Sequence, residues 1–190
     1  FVAVPYWELY ATLVNGGEFE AQHKKGRFLD KAEAETIHAK LGKTGVVKSI
    51  VLGKRNEKPP TPFNTTEFLS AASAVGISPA NAMRIAEFLY VNGYISYPRT
   101  DNTVYPATLD IKGIIESFLN TEFKEYAQKI LSGKLEPTRG KKETTDHPPI
   151  HPATPVKRSQ LKEDEWKLYE LIVRRFFATF AGQTVWETMA

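Results

Sequence analysis

The sequence contains no cysteine. That excludes a disulfide scaffold and thiolate metal sites, and it fits a reducing compartment. No apolar run reaches the ~20 residues of a membrane-spanning helix, and no charged stretch leads into an apolar one at the start. The reading is a cytoplasmic protein without a membrane partner. There is little charge surplus either: 25 Lys and Arg stand against 22 Asp and Glu, a net +3. A balance that mild is no signature of a nucleic-acid partner on its own. Nor is there an internal repeat.

What is present is enough to build a core. The 190 residues are 42% hydrophobic and 12% aromatic, which suits one large domain or one compact domain with part of a second. The basic residues are grouped. Lys40, Lys43, Lys48, Lys54, Arg55 and Lys58 face a single acid, Glu57, and a second group, Arg139, Lys141 and Lys142, precedes a His-containing stretch. Both groups read by default as solvated surface. The chain opens on Phe1 rather than Met, and Phe1 to Pro5 reads as the lead into a strand, so the expectation is a chain that starts inside a larger protein.

Alternation of Trp7, Leu9, Ala11 and Leu13 with more polar neighbours predicts a half-buried strand over Tyr6 to Val14. Asn15-Gly16-Gly17 predicts a hairpin, with Glu18 to His23 as the returning strand. Asp30 with Glu33 reads as a capping box for a helix carrying Ala34, Ile37 and Leu41, stopped by Gly42. Val46 to Lys54 reads as a further strand. The run Lys58-Pro59-Pro60-Thr61-Pro62 is a stiff break, and the domain boundary is placed there. Beyond it the pattern turns helical. Asn64 with Glu67 opens a helix to about Ala74. Ser78-Pro79 starts a second one, ended by Gly93, with Ala82, Ile85, Ala86 and Leu89 on one face. Helices are also expected near Ala107 to Leu119 and Thr121 to Leu131. Ser132 to Thr145 reads as a loop, and Asp146 to Pro155, with four prolines, as neither helix nor central strand. Leu161 to Phe180 is a helix with acids at its start, Arg174 and Arg175 near its end, and an apolar face that needs a core. Thr184 to Met189 reads as a strand.

The run Gly93-Tyr94-Ile95-Ser96-Tyr97-Pro98-Arg99-Thr100-Asp101-Asn102 carries the chemistry. Pro98 disfavours helical dihedrals at Tyr97, so that residue is expected to be extended. Side chains two apart on an extended segment project together, which directs Tyr97 and Arg99 into one site. A phenol beside a guanidinium suits attack on a phosphodiester. Free tyrosine ionises near pH 10, with about one molecule in a thousand ionised at neutral pH, and a positive neighbour favours the phenolate. The guanidinium can also hold a phosphate through two parallel hydrogen bonds. Covalent catalysis by tyrosine splits strand breakage into two transesterifications and keeps the bond energy, so no nucleotide cofactor is needed. Taken alone, a Tyr-Pro-Arg run is far more often a buried tyrosine next to a surface arginine in a turn.

Several motifs in order resemble the type IA DNA topoisomerases. Leu89-Tyr90, Gly93-Tyr94-Ile95-Ser96-Tyr97 and Arg99-Thr100-Asp101 are similar to that family's active-site segment, and Asn102-Thr103-Val104-Tyr105-Pro106 resembles its archaeal members. Pro62-Phe63, Thr65-Thr66 and Ala71-Ala72-Ser73 resemble the preceding helix. Asp146-His147-Pro148-Pro149-Ile150-His151-Pro152 resembles the family's His-containing phosphate-contact motif. Leu168-Tyr169-Glu170-Leu171-Ile172 with Arg174-Arg175-Phe176 resembles a later helix. The match covers about Pro60 to Phe180.

The resemblance implies that Tyr97 is the nucleophile of a 5′-phosphotyrosyl bond, that Arg99 positions the scissile phosphate, and that His147 contacts DNA phosphate. Ser96, Thr100, Asp101, Lys141 and Lys142 are the further candidate DNA-binding residues. Val91 departs from the family, where many bacterial relatives carry a glutamate. His147, His151 and Asp146 could be read as metal ligands, but Pro148, Pro149 and Pro152 prevent the helical spacing that seats a His pair on one ion. His151 is taken as structural.

The implied fold class is α+β: a mainly helical catalytic-tyrosine domain at 60–181 joined to part of the β-sheet arch of a toroidal enzyme, at 1–59 and 182–190. The implied activity is single-strand DNA cleavage and rejoining, with strand passage and relaxation of negative supercoils in the intact enzyme. Mg²⁺ would be its cofactor, held by carboxylates outside this chain, because no Asp-x-Asp follows an apolar strand here. Single-stranded DNA and the remaining domains of the same polypeptide would be the partners. The location would be a prokaryotic, chromosome-associated cytoplasm. The competing readings are a tyrosine recombinase or type IB-like strand transferase, and a non-catalytic nucleic-acid-binding module using the basic sheet.

Overall fold

The computed structural model describes residues 2–189, which mix helix and sheet. They pack as two units, one of residues up to Leu52 and one of Gly53–Thr188.

In the first unit, β1 (Trp7–Val14) and β2 (Glu18–Phe28) form an antiparallel hairpin. Gly16 supplies the positive φ (69°) that the turn requires. Leu9, Ala11 and Leu13 are half-buried while Tyr10, Thr12 and Val14 are exposed, as the alternation predicts. The returning strand continues five residues past the expected His23, to Phe28. An irregularity in register between Glu8 and Tyr10 lets the ladder resume at Trp7↔Phe28. Helix α1 (Lys31–Ala39) packs on this hairpin. Asp30 caps it by accepting from the Ala32 amide, but the expected capping box is open because Glu33 pairs with Lys25. The helix also ends before Leu41, which is exposed. The unit's small core is centred on Phe28 and Ala34.

The expected strand at Val46 to Lys54 is displaced. Residues 46–51 are exposed without regular structure, and β3 spans Leu52–Glu57. Its register follows its partner β4 (Thr184–Met189), far off in sequence, so local β-propensity could not place it. Trp186 Nε1 donates to Glu57 at 2.7 Å, and Lys54 pairs with Glu187 at 3.4 Å.

The second unit's core is helical. Helix α2 (Thr65–Ala74) is capped by Asn64, which accepts from the Glu67 amide at 2.8 Å. Helix α3 (Pro79–Val91) starts at Ser78-Pro79 and buries Ala82, Ile85, Ala86 and Leu89. The last expected helix is α6 (Glu163–Ala178), which buries Trp166, Leu168, Tyr169, Ile172, Val173, Phe176 and Phe177. Helices α2, α3 and α6 pack together. Helix α4 (Ile111–Ser117) begins at the Asp110 cap rather than at Ala107, and α5 (Lys124–Leu131) follows a 3-10 turn at Phe118–Asn120. Arg175 fastens α6 to the start of α2: it donates to Thr61 O (2.7 Å) and Glu67 (2.9 Å) and lies over the Phe63 ring. Burial pushes its pKa down, and Glu67 opposes that shift.

Candidate active site

Helix α3 stops because Asn92 caps its C terminus and Gly93 turns left-handed, with φ 74°. The chain then runs without regular structure through Tyr97, as Pro98 requires. It is gripped from two sides. From one side, Thr65, the first residue of α2, donates its hydroxyl to Pro98 O (2.7 Å) and accepts from the Thr100 amide (2.8 Å). The backbone adds Thr65 N to Thr100 O at 2.9 Å.

From the other side comes a strap of residues 138–152. Ser96 N donates to His151 O, the His151 amide returns to Ser96 Oγ, and isolated bridges join Ile95 to Pro152 and Phe63 to Ile150. Thr103 exchanges hydrogen bonds with Lys142, and Gly140 N reaches Thr103 O at 3.0 Å. A Cβ on Gly140 would collide with Thr103, so only glycine permits this approach. Asn102, 2% exposed, spends its whole side chain here. Its amide donates to Thr144 O (2.8 Å) and His147 O (3.1 Å), and its oxygen accepts from Val104 N (2.9 Å). The stretch expected as a loop is therefore irregular but tied down. Its prolines leave few amides of their own to satisfy, and neighbours bind its carbonyls.

The strap sets His147 against Tyr97. Their ring centroids are 4.6 Å apart and tilted by 51°. A second aromatic neighbour is Tyr90 of α3, edge-on at 5.2 Å. Tyr97 is half-buried, and among the described residues its hydroxyl has no hydrogen-bond partner. That hydroxyl is not sealed; the enclosed side-chain oxygens lacking a partner are those of Tyr105 and Thr144. His147 is exposed.

Arg99 is exposed, and its guanidinium donates through Nε (3.2 Å) and Nη2 to Glu87 Oε1. Glu87 raises the arginine's pKa, and Tyr97 adds a smaller contribution in the same direction. Arg99 thus lies within electrostatic reach of Tyr97, but its hydrogen bonds go to Glu87. Lys142 pairs with Asp101 at 2.6 Å, and Lys141 is exposed. Ser96 and Thr100 are engaged internally: Ser96 Oγ donates to Pro149 O (3.2 Å) and Thr100 Oγ1 to His147 O (3.3 Å). Val91 is exposed.

His151 is buried against Tyr105 and Phe176, and its Nδ1 lies 2.9 Å from Pro152 O. Burial lowers its pKa. Asp146, though exposed, has its pKa lowered by the nearby Thr144 hydroxyl and the His147 amide. Among the described residues no group of three or more His, Asp or Glu side chains is placed to hold a metal ion. The described residues therefore do not form a site for a resident divalent cation. A groove of about 750 Å³ lies between α5 and the end of α6 and contains none of the candidate residues. Thr65, Tyr90 and Asn102 stand within the family motifs quoted from the sequence but were given no role at the site, and Glu87 was not singled out. Tyr90 and Glu87 share one face of α3 with helical spacing, a signal that was available.

A half-buried tyrosine on a helix-to-loop junction, its hydroxyl not enclosed, with a histidine ring against it and an arginine two residues on, defines a candidate phosphodiester-attacking site. The family model for DNA topoisomerase matches residues 1–190, and the chain belongs to that family, in its type IA branch. It is 51% identical over 183 residues to DNA topoisomerase 1 of Archaeoglobus fulgidus, covering 96% of this chain and 27% of that protein. It is 43% identical over 176 residues to DNA topoisomerase 1 of Thermoplasma acidophilum, covering 92% of this chain and 23% of the relative. The full-length topoisomerase I of Thermotoga maritima shares the fold, with a TM-score of 0.62 at 24% identity over 97% of this chain and 31% of that one. The chain thus spans about a quarter of the length of the curated relatives it matches. Among the described residues no helix is long and apolar enough to cross a membrane.

Proposed function

We propose that this chain is the tyrosine-bearing part of a longer enzyme that changes DNA topology by cutting and resealing one strand. The observation that supports this most directly is the Tyr97 ring, its hydroxyl not enclosed, packed against the exposed His147 ring. In the proposed reaction the Tyr97 oxygen attacks the phosphorus of a single strand. A phosphotyrosyl bond to the 5′ end forms, the bond to the 3′ oxygen breaks, and the leaving 3′ hydroxyl takes up the proton that the phenol releases. Attack by that hydroxyl reverses the step and reseals the strand, without a nucleotide cofactor. Arg99 holds the phosphate oxygens and stabilises their developing charge. His147 contacts a neighbouring phosphate, with Lys141 and Lys142 adding salt-dependent attraction.

In this reading residues 60–181 are the catalytic-tyrosine domain, and 1–59 with 182–190 are part of an arch. Mg²⁺ would be bound by carboxylates elsewhere in the longer protein. Single-stranded DNA and the other domains of the same polypeptide would be the partners, in a prokaryotic cytoplasm. The test is Tyr97→Phe in the full-length protein. The covalent DNA adduct should disappear while affinity for a single-stranded oligonucleotide stays within about threefold, since phosphate contacts dominate binding. An adduct that persists excludes Tyr97 as nucleophile.

A further inference from the structure

A guanidinium has two donor edges, and in Arg99 only one is taken. Glu87 Oε1 accepts from Nε, at 3.2 Å, and from Nη2. These two nitrogens make the side edge of the planar group. The end-on edge, Nη1 with the outward hydrogen of Nη2, has no partner among the described residues. It is the edge that can grip a phosphate through two parallel bonds.

Glu87 stands on α3 one turn before Tyr90, whose ring packs edge-on against Tyr97. Residues three apart share a helix face. One face of the last turns of α3 therefore carries a support for each of the two side chains invoked in the reaction. The Arg99 and Glu87 side chains are 57% and 45% exposed. At that exposure an ion pair adds little to stability, so the fold gives small reason for the pairing. Orientation gives a better one. An unpaired arginine of this length samples many rotamers, and fixing it before substrate arrives removes that cost from the reaction. A carboxylate on the side edge does not have to leave when a phosphate takes the other.

We propose that Glu87 is a positioning residue for Arg99, turning its free end-on edge toward the backbone phosphate of a DNA strand lying against Tyr97. This rests on the reading of Tyr97 as nucleophile.

The experiment measures the rate of covalent attachment of the full-length protein to a single-stranded oligonucleotide, for Glu87→Ala and Glu87→Gln, each with Arg99 intact and in an Arg99→Ala background. Glu87→Ala should slow attachment about tenfold, since loss of alignment raises the barrier directly. Glu87→Gln keeps a neutral acceptor and should recover most of that loss. The thermal midpoint should move by less than about 2 °C, as expected for an exposed pair. With Arg99 already removed, Glu87→Ala should have no further effect. An equal slowing without Arg99 overturns the proposal, as does an unchanged rate. Faster attachment by Glu87→Ala also overturns it, since it would make the carboxylate a competitor of the phosphate. An adduct surviving Tyr97→Phe removes the underlying reading itself and is told apart from all of these.

Discussion

His151 and His147 lie four residues apart on the same strap and face opposite surroundings. His147 is exposed beside Tyr97, whereas His151 is buried between Tyr105 and Phe176. Nothing local in the sequence separates them except the prolines around them. The resemblance assigned the first to DNA; the second was read as structural from its surroundings in the sequence, and its burial agrees with that. Because burial lowers the His151 pKa from 6.5, the folded chain keeps it neutral where the unfolded chain takes up a proton. The stability this gives is fully present above pH ~6.5, declines as pH falls through that value, and levels off below the folded pKa. Thermal midpoints recorded from about pH 7 to 5 should therefore fall less steeply in His151→Asn than in the parent chain. Equal slopes would remove the assignment.

At the scale of elements, several local signals match the structure, while the capping box of Asp30 with Glu33, the end of α1 and the start of α4 do not. The Asn64 and Asp30 caps, the Ser78-Pro79 start, the Gly93 stop and the buried face of α3 all depend on residues within a turn of each other. Strand β3 was missed because its partner β4 is over a hundred residues away. The strap was underestimated for a similar reason. Its order comes from Asn102, Thr103 and Ser96, none of which adjoins it in sequence. The α2 cap has a consequence beyond its helix, because the first residue of α2 is Thr65, the clamp on Pro98 and Thr100. Asn64→Ala should cost about 1 kcal/mol in stability, the usual worth of such a cap. Amide exchange at Thr100 should speed up with it; if only the α2 amides respond, the clamp is independent of the helix start.

For the whole molecule, two separately packed units and a length about a quarter of the matched relatives bear on what the chain can do alone. The site has a tyrosine hydroxyl that is not enclosed and basic side chains nearby in sequence, and among the described residues no group of three or more His, Asp or Glu is placed to hold a metal ion. The purified 190 residues are accordingly expected to bind single strands weakly, with strong salt dependence, and to leave supercoiled plasmid unrelaxed. Relaxation by this chain alone would contradict the assignment of cation binding to other parts of the protein. Family membership was visible in ordered motifs from Pro60 to Phe180; the packing that makes Glu87, Tyr90 and Asn102 part of the site was not.

The central claim concerns one oxygen atom and one end of a DNA strand. Trapping the full-length protein on a cleaved single strand, digesting it and sequencing the nucleotide-bearing peptide by mass spectrometry addresses both together. The account predicts a 5′-linked nucleotide on the Tyr97 side chain. A 3′ linkage, or a nucleotide on any other residue, would contradict it.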